Sequence, residues 1–336
     1  MAGSTIPVMR EIVIVISDLY LAPDTPALAP VALPGLDRIS RFGERLTLAR
    51  GWREWLAHWV GRHDLDHVPV SAIAGAGRAD AATTWMATPL HLAAGLTTLH
   101  FDARGILSLS REEQDALALD FGRTFKDVSL APLDSGELLL LHPGAPAATS
   151  TEPARIVGGN VADALPQGAG AATLRRLGAE IEMWLHEHPI NVARAGRGEL
   201  PITTLWIWGG GARMTHRFTT GRLPRAFGSD SYLQGLWRLC GGDAQALPPQ
   251  LDATYAAGSA VLVVEAGRMS RANTSWSMAE RLGEVDRRFV APALEHLQRR
   301  SVERVAILAN DRQLVLSSAS GRKFWRRARP ALERLR

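Results

Sequence analysis

Lysine is nearly missing from this chain. It has 336 residues and 38 basic side chains, of which only Lys126 and Lys323 are lysines. Cysteine is rarer still. Cys240 stands alone, which excludes an intramolecular disulfide and a multi-cysteine metal site. Long apolar runs are lacking too. Residues 12–16 form a run of five after Arg10 and Glu11, too short for a signal-peptide core or a bilayer span. These absences predict a cytoplasmic protein without membrane contact. What is present is ordinary: 46% hydrophobic and 21% charged residues exclude a disordered chain or a fibrous repeat. The length allows two domains, or one large domain with an insertion. The net charge of +4 is unevenly spread. Residues 321–336 hold seven basic side chains against Glu333, so the other 320 residues carry about −2.

The pattern along the chain is mixed. Residues 12–16 are apolar and β-branched, as in a strand buried on both faces of a parallel sheet. A proline-rich loop and a short helix with Leu36, Ile39 and Phe42 follow. Trp52, Trp55, Leu56, Trp59 and Val60 share one face of a helix over about 51–61. That face could stack a ligand, but a bulky core face is the reading preferred. Residues 71–84 read as a loop. Strands near 97–101 and 105–109, a helix opened by Ser110-Arg-Glu-Glu113, and strands near 126–131 and 137–141 predict a small antiparallel unit. A long loop over 142–170 precedes a helix at about 171–187, ended by Pro189. Further on, strands are expected at 202–208, 260–265 and 305–308, with an edge strand at 315–316. Helices are expected at 229–240 and 276–300, the second kinked at Pro292. The predicted fold is a mostly parallel α/β core, residues 1–95 and 200–336, interrupted by an inserted α+β subdomain, 96–199.

Ligands of open parallel sheets sit beyond the carboxyl ends of the strands. Asp18, Glu265 and Asp311 fall at such ends, where carboxylates can hold a divalent cation or cap the following helix. Capping is the preferred reading. His186-Glu187-His188 lacks the i, i+4 spacing of a zinc helix. Gly209-Gly210-Gly211 after a strand could cradle an anion or form a close-packed turn. It is neither a phosphate loop nor a dinucleotide fingerprint. The arginine-rich tail with Phe324 and Trp325 could contact a polyanion, but a solvated helix is preferred and no nucleic-acid partner is expected.

The segment HEHPINVARAGRGELPITTLWIWGGG (186–211) resembles a stretch of the archaeal-type cofactor-independent phosphoglycerate mutases. The matching residues are His188, Pro189, Asn191, Arg194, Gly198, Pro201, Trp206, Trp208, Gly209 and Gly211. VIVISDLYL with PGLDRISRFG, and VVEA with EVDRRFVAPALE, resemble other stretches of that family in the same order. The sequence is also similar to the proteobacterial subgroup of regulatory proteins of RpfE type.

The resemblance implies an alkaline-phosphatase-like fold. It also implies phosphoryl transfer through a serine nucleophile and two divalent metals, Mn or Zn. This chain departs from the pattern at the site. Asp18 matches the first aspartate. The nucleophile loop overlays Gly77-Arg78-Ala79-Asp80, which puts Ala79 at the serine position. Gly267-Arg268-Met269-Ser270-Arg271 replaces a metal-ligand set, and Asp311-Arg312 replaces an Asp-His pair. Asp18 and Asp311 remain as residual acids, with Asp80 and Glu265 nearby in the pattern. Arg268, Arg271 and Arg312 cannot ligate a metal, but can pair with those acids or with an anionic ligand. The expectation is a metal-free homologue with a regulatory role, binding an anionic or phosphorylated small molecule or a protein partner. The alternative is an active mutase or phosphatase with a rearranged site, using Thr83 or Thr84.

Overall fold

The computed structural model describes residues 10–17, 19, 31–48, 50–61, 68–76, 83–94, 99–100, 105–144, 147–212, 214, 223–252, 258–265, 278–309, 311–318 and 331. Its centre is strand β1 (Glu11–Ser17), buried at every residue. Alternation sends Ile12, Ile14 and Ile16 into one apolar cluster and Val13 and Val15 into another. Each such side chain contributes about 1.5–3 kcal/mol on burial. This explains why the run has no polar interruption.

β1 lies inside a seven-stranded sheet with β2 (Glu44–Thr47), β9 (Arg225–Phe227), β10 (Ala244–Gln245), β11 (Ala260–Glu265), β12 (Arg304–Ala309) and β13 (Arg312–Ser317). The order is β10-β9-β11-β1-β12-β13-β2, parallel from β10 through β12. β13 and β2 run antiparallel. The expected edge strand at 315–316 is therefore interior. β2, with four exposed residues, takes the edge beside it.

One face of this sheet is covered by α1 (Pro34–Phe42), α8 (Met278–Val285) and α9 (Ala291–Gln298). Between α8 and α9 the expected continuous helix has a π-helical turn, Asp286–Val290, immediately before Pro292. Proline cannot donate to the carbonyl four residues back, and the wider turn absorbs that loss. Asp286 uses the turn. Its carboxylate accepts the backbone N–H groups of Gly35 (3.0 Å) and Leu36 (2.6 Å), capping α1 from 250 residues away. The other face carries α2 (Gly51–Trp59), α3 (Val70–Ala74) and α7 (Ser231–Leu239). Trp52 is buried in that core, and Trp55 and Trp59 pack against it and stack on each other.

A second, antiparallel sheet has the order β6-β7-β3-β8, from β3 (Thr83–Leu90), β6 (Ser129–Pro132), β7 (Leu138–His142) and β8 (Thr204–Ala212). One face packs under α4 (Arg111–Thr124) and α5 (Ala171–His186). Ser110 and Glu113 form the expected capping box on α4. The other face packs against α3 and two 3-10 turns, Pro153–Ile156 and Val161–Ala164. Two of this sheet's strands, β3 and β8, lie outside the 96–199 range expected for an insertion. The 71–84 stretch is not a loop throughout. Its small residues make the short helix α3, wedged between the two sheets, with Ile73 in one core and Ala74 in the other. Among the described residues near 97–101, β5 (Leu99–His100) pairs with β4 (Ala93–Ala94). Near 105–109 only a bridge between Ile106 and Leu90 forms.

Ala331 is the described residue of the basic tail. It is buried in the large-sheet core, and its N–H donates to Asp37. Ala331 is helical, as expected, but it is buried rather than solvated. Lys323, Phe324 and Trp325 lie outside the described residues.

Candidate functional site

The parallel strands end at one edge of the large sheet. β11 ends on Glu265, opposite Ser17 of β1. β9 leads through Gly228 to Ser229 and Asp230, and β12 leads to Asp311. A cleft lies over this edge, bounded by the second sheet. Arg53, Thr88, Glu152, Trp208, Asp230 and Glu265 are among its walls. A neighbouring recess shares Arg53, Glu152 and Trp208 and adds Arg50 and Arg155. Of the acids expected there, Glu265 accepts a hydrogen bond from Ser229 Oγ (3.0 Å). Asp18, Ala79, Asp80, Arg268 and Arg271 fall outside the described residues.

Asp311 has an arginine on it, but not an expected one. Arg155, from the turn Pro153–Ile156, sets Nη1 on Oδ2 (3.2 Å) and Nη2 on Oδ1. Both carboxylate oxygens are thus engaged by one guanidinium, the bidentate geometry that favours arginine over lysine. Arg312 instead donates from Nη1 to Thr47 Oγ1 on β2 (3.3 Å). Arg312 opens β13 and stands directly opposite Thr47 on β2, so the two side chains share one face of the sheet. Gly51, with φ +80°, starts α2 beside this pair, and a Cβ there would lie 2.8 Å from Arg155 Nη2.

Arg53 is the second centre. Its side chain is 11% exposed and lies over the rings of Trp52 (4.5 Å) and Trp208 (5.2 Å). Nη1 donates to Glu152, and Nη2 lies 3.8 Å from Asp230. Asp230 also caps α7, accepting from Leu233 N (2.9 Å). Tyr232 fixes the backbone below by donating its hydroxyl to the Arg53 carbonyl (2.7 Å). Burial raises the Tyr232 pKa well above its usual value, so the hydroxyl keeps that proton. Sequence reasoning missed Arg53, Glu152 and Arg155, which stand in no motif. Pro153, which opens that turn, was the available signal for the Arg155 segment.

The motif residues hold structure. His188 caps α6 (Pro189–Gly196), its Nδ1 accepting from Ile190 N (3.2 Å). Asn191 donates from Nδ2 to the carbonyls of Leu185 (2.8 Å) and Ile202 (2.9 Å) and accepts from Ile202 N (2.7 Å). Arg194 is buried, donating to Leu200 O (2.8 Å) and to both oxygens of Glu113 (3.0 and 3.1 Å). These three fasten α4, α5, α6 and the approach to β8, and none lines the cleft. Trp206 donates to Thr151 O (2.8 Å) and Trp208 to Thr88 Oγ1 (2.8 Å). The three glycines follow inside β8. A Cβ on Gly210 would collide with the Trp85 ring, and one on Gly211 with Pro69. Gly209 has φ +61° and approaches Val70. Close packing, rather than an anion cradle, accounts for them.

The hydroxyls of Thr83 and Thr84 are buried in β3, and Thr84 Oγ1 donates to Ser71 Oγ (3.1 Å). An attacking hydroxyl needs access to substrate, which neither has here. Among the described residues, no three His, Cys, Asp or Glu side chains are grouped to hold a metal ion. Among the same residues, no helix is long and apolar enough to cross a membrane.

No family model matches the chain, and no curated protein matches it. Among solved structures, the chain is similar to the cofactor-independent phosphoglycerate mutase from Thermoplasma acidophilum DSM 1728. The identity is 14% and the TM-score 0.44, over 98% of this chain and 95% of that one. It is also similar to the PH0037 protein from Pyrococcus horikoshii, with 15% identity and TM-score 0.45, over 92% of this chain and 88% of that one.

Proposed function

We propose that this chain is a non-catalytic, metal-independent relative of the cofactor-independent phosphoglycerate mutases, with a regulatory role of the RpfE type. The order of the sequence motifs supports the relationship. The observation that carries the loss of chemistry is Arg155 across both oxygens of Asp311. A divalent metal needs free anionic or imidazole donors, and a guanidinium brings a fixed positive charge and no lone pair. The described donor set therefore does not fit a metal pair.

The ligand of this reading is small and anionic, and a phosphorylated compound suits it. It would enter the recess where Arg50, Arg53 and Arg155 converge beside Trp52 and Trp208. Guanidinium groups bind phosphate bidentately, and aromatic walls exclude water around them. A protein partner bearing such a group would meet the same chemistry.

Metal content and turnover test the reading together. Protein equilibrated with manganese and then desalted is expected to hold substoichiometric metal and not to interconvert phosphoglycerates. 3-Phosphoglycerate is expected to raise the melting temperature of the wild type and not of Arg155→Ala. Stoichiometric manganese with mutase turnover that disappears in Asp311→Ala overturns the proposal.

A further inference from the structure

Two ion pairs join the Arg155 turn to the edge of the large sheet, and their polarity is crossed. Arg53 on α2 reaches out to Glu152, while Arg155 reaches back to Asp311. Arg155 Nε also lies 3.9 Å from Glu152, so the four charges form one chain of alternating sign. The apolar anchors of this segment face the other way. Ile156 and Val161 belong to the core of the second sheet, with Trp206 and Trp208. Trp206 holds Thr151 from that side as well. The segment is thus packed onto one sheet and tied to the other by charge. Packing is insensitive to an ion that competes for a guanidinium, whereas a partly exposed ion pair is open to it. Asp311 is 37% exposed and Arg155 28%, so this pair can be competed from solvent.

We infer that residues 151–156 are a charge-held strap that closes the strand-end cleft and opens when the Arg155–Asp311 and Arg53–Glu152 pairs break. Glu152, Pro153 and Ala154 line the cleft, so release uncovers its walls.

Ala154 supplies the reporter, because it is a strap residue only 4% exposed in the closed arrangement. Ala154→Cys in a Cys240→Ser background gives one thiol whose rate with Ellman's reagent measures opening. Adding Arg155→Ala is expected to raise that rate about tenfold or more, at an unchanged urea midpoint. Glu152→Gln is expected to act in the same direction, and serves if Arg155→Ala unfolds the chain. The reversed pair, Arg155→Glu with Asp311→Arg, is expected to bring the rate back toward that of the parent. A rate unmoved by both single variants, or not lowered again by the reversed pair, overturns the strap.

Discussion

Single residues show how a recognisable motif differs from a site. His188, Asn191 and Arg194 were legible as a conspicuous cluster, yet their hydrogen bonds go to a helix cap, to backbone groups and to a buried pairing with Glu113. A motif records that residues are needed together, not whether the need is chemical or structural. Arg155 was illegible for the opposite reason, since the contact that matters spans 156 residues and leaves no local periodicity. His188 yields a pH prediction. Its ring is buried, and burial lowers its pKa below 6.5, partly offset by Asp120. Nδ1 must also stay unprotonated to accept from Ile190 N. As pH falls, the unfolded imidazole takes up its proton first. Stability is therefore full above about 6.5 and is lost as pH falls toward the folded value. The urea midpoint is expected to drop between about pH 7.5 and 5.5, and the drop is expected to shrink in His188→Asn, which keeps a capping side chain.

Elements were legible where local pattern and tertiary packing agree. β1, β11 and β12 follow from β-branched apolar runs, and α4 from its capping box. α3 was not, because five residues that include the β-branched Val70 and Ile73 carry little helical signal and their helix exists where two sheets meet. The interruption between α8 and α9 was half legible: Pro292 marks the place, but the π turn depends on Asp286 reaching α1. Burial raises the Asp286 pKa, while the N–H groups of Gly35 and Leu36 favour its charged form. Removing that acceptor leaves two buried donors at a helix start. Asp286→Ala is expected to cost about 1–3 kcal/mol by urea denaturation, and Asp286→Asn less, because one oxygen still accepts.

At the scale of the whole molecule, the two sheets are coupled through α3. It gives Ile73 to the core under the large sheet and Ala74 to the core of the second, and it presses α7 at Gly235. The glycine is required by contact: a Cβ there would overlap the Ile73 carbonyl oxygen. Backbone cannot yield as a flexible side chain can, so α7 and α3 must separate to admit a methyl group. Gly235→Ala is expected to cost about 3 kcal/mol or more, although alanine is the better helix former. The signature to look for is where the loss appears. If α3 joins the sheets into one cooperative unit, amides of β1 and β11 in one sheet and of β3 and β7 in the other lose protection together. Hydrogen exchange along a urea series reads this directly. Loss confined to the large sheet would mean that the second sheet holds α3 by itself and the two layers unfold separately. Coincident loss is the expected result, because no substitution at Gly235 can disturb α3 in one core and spare the other.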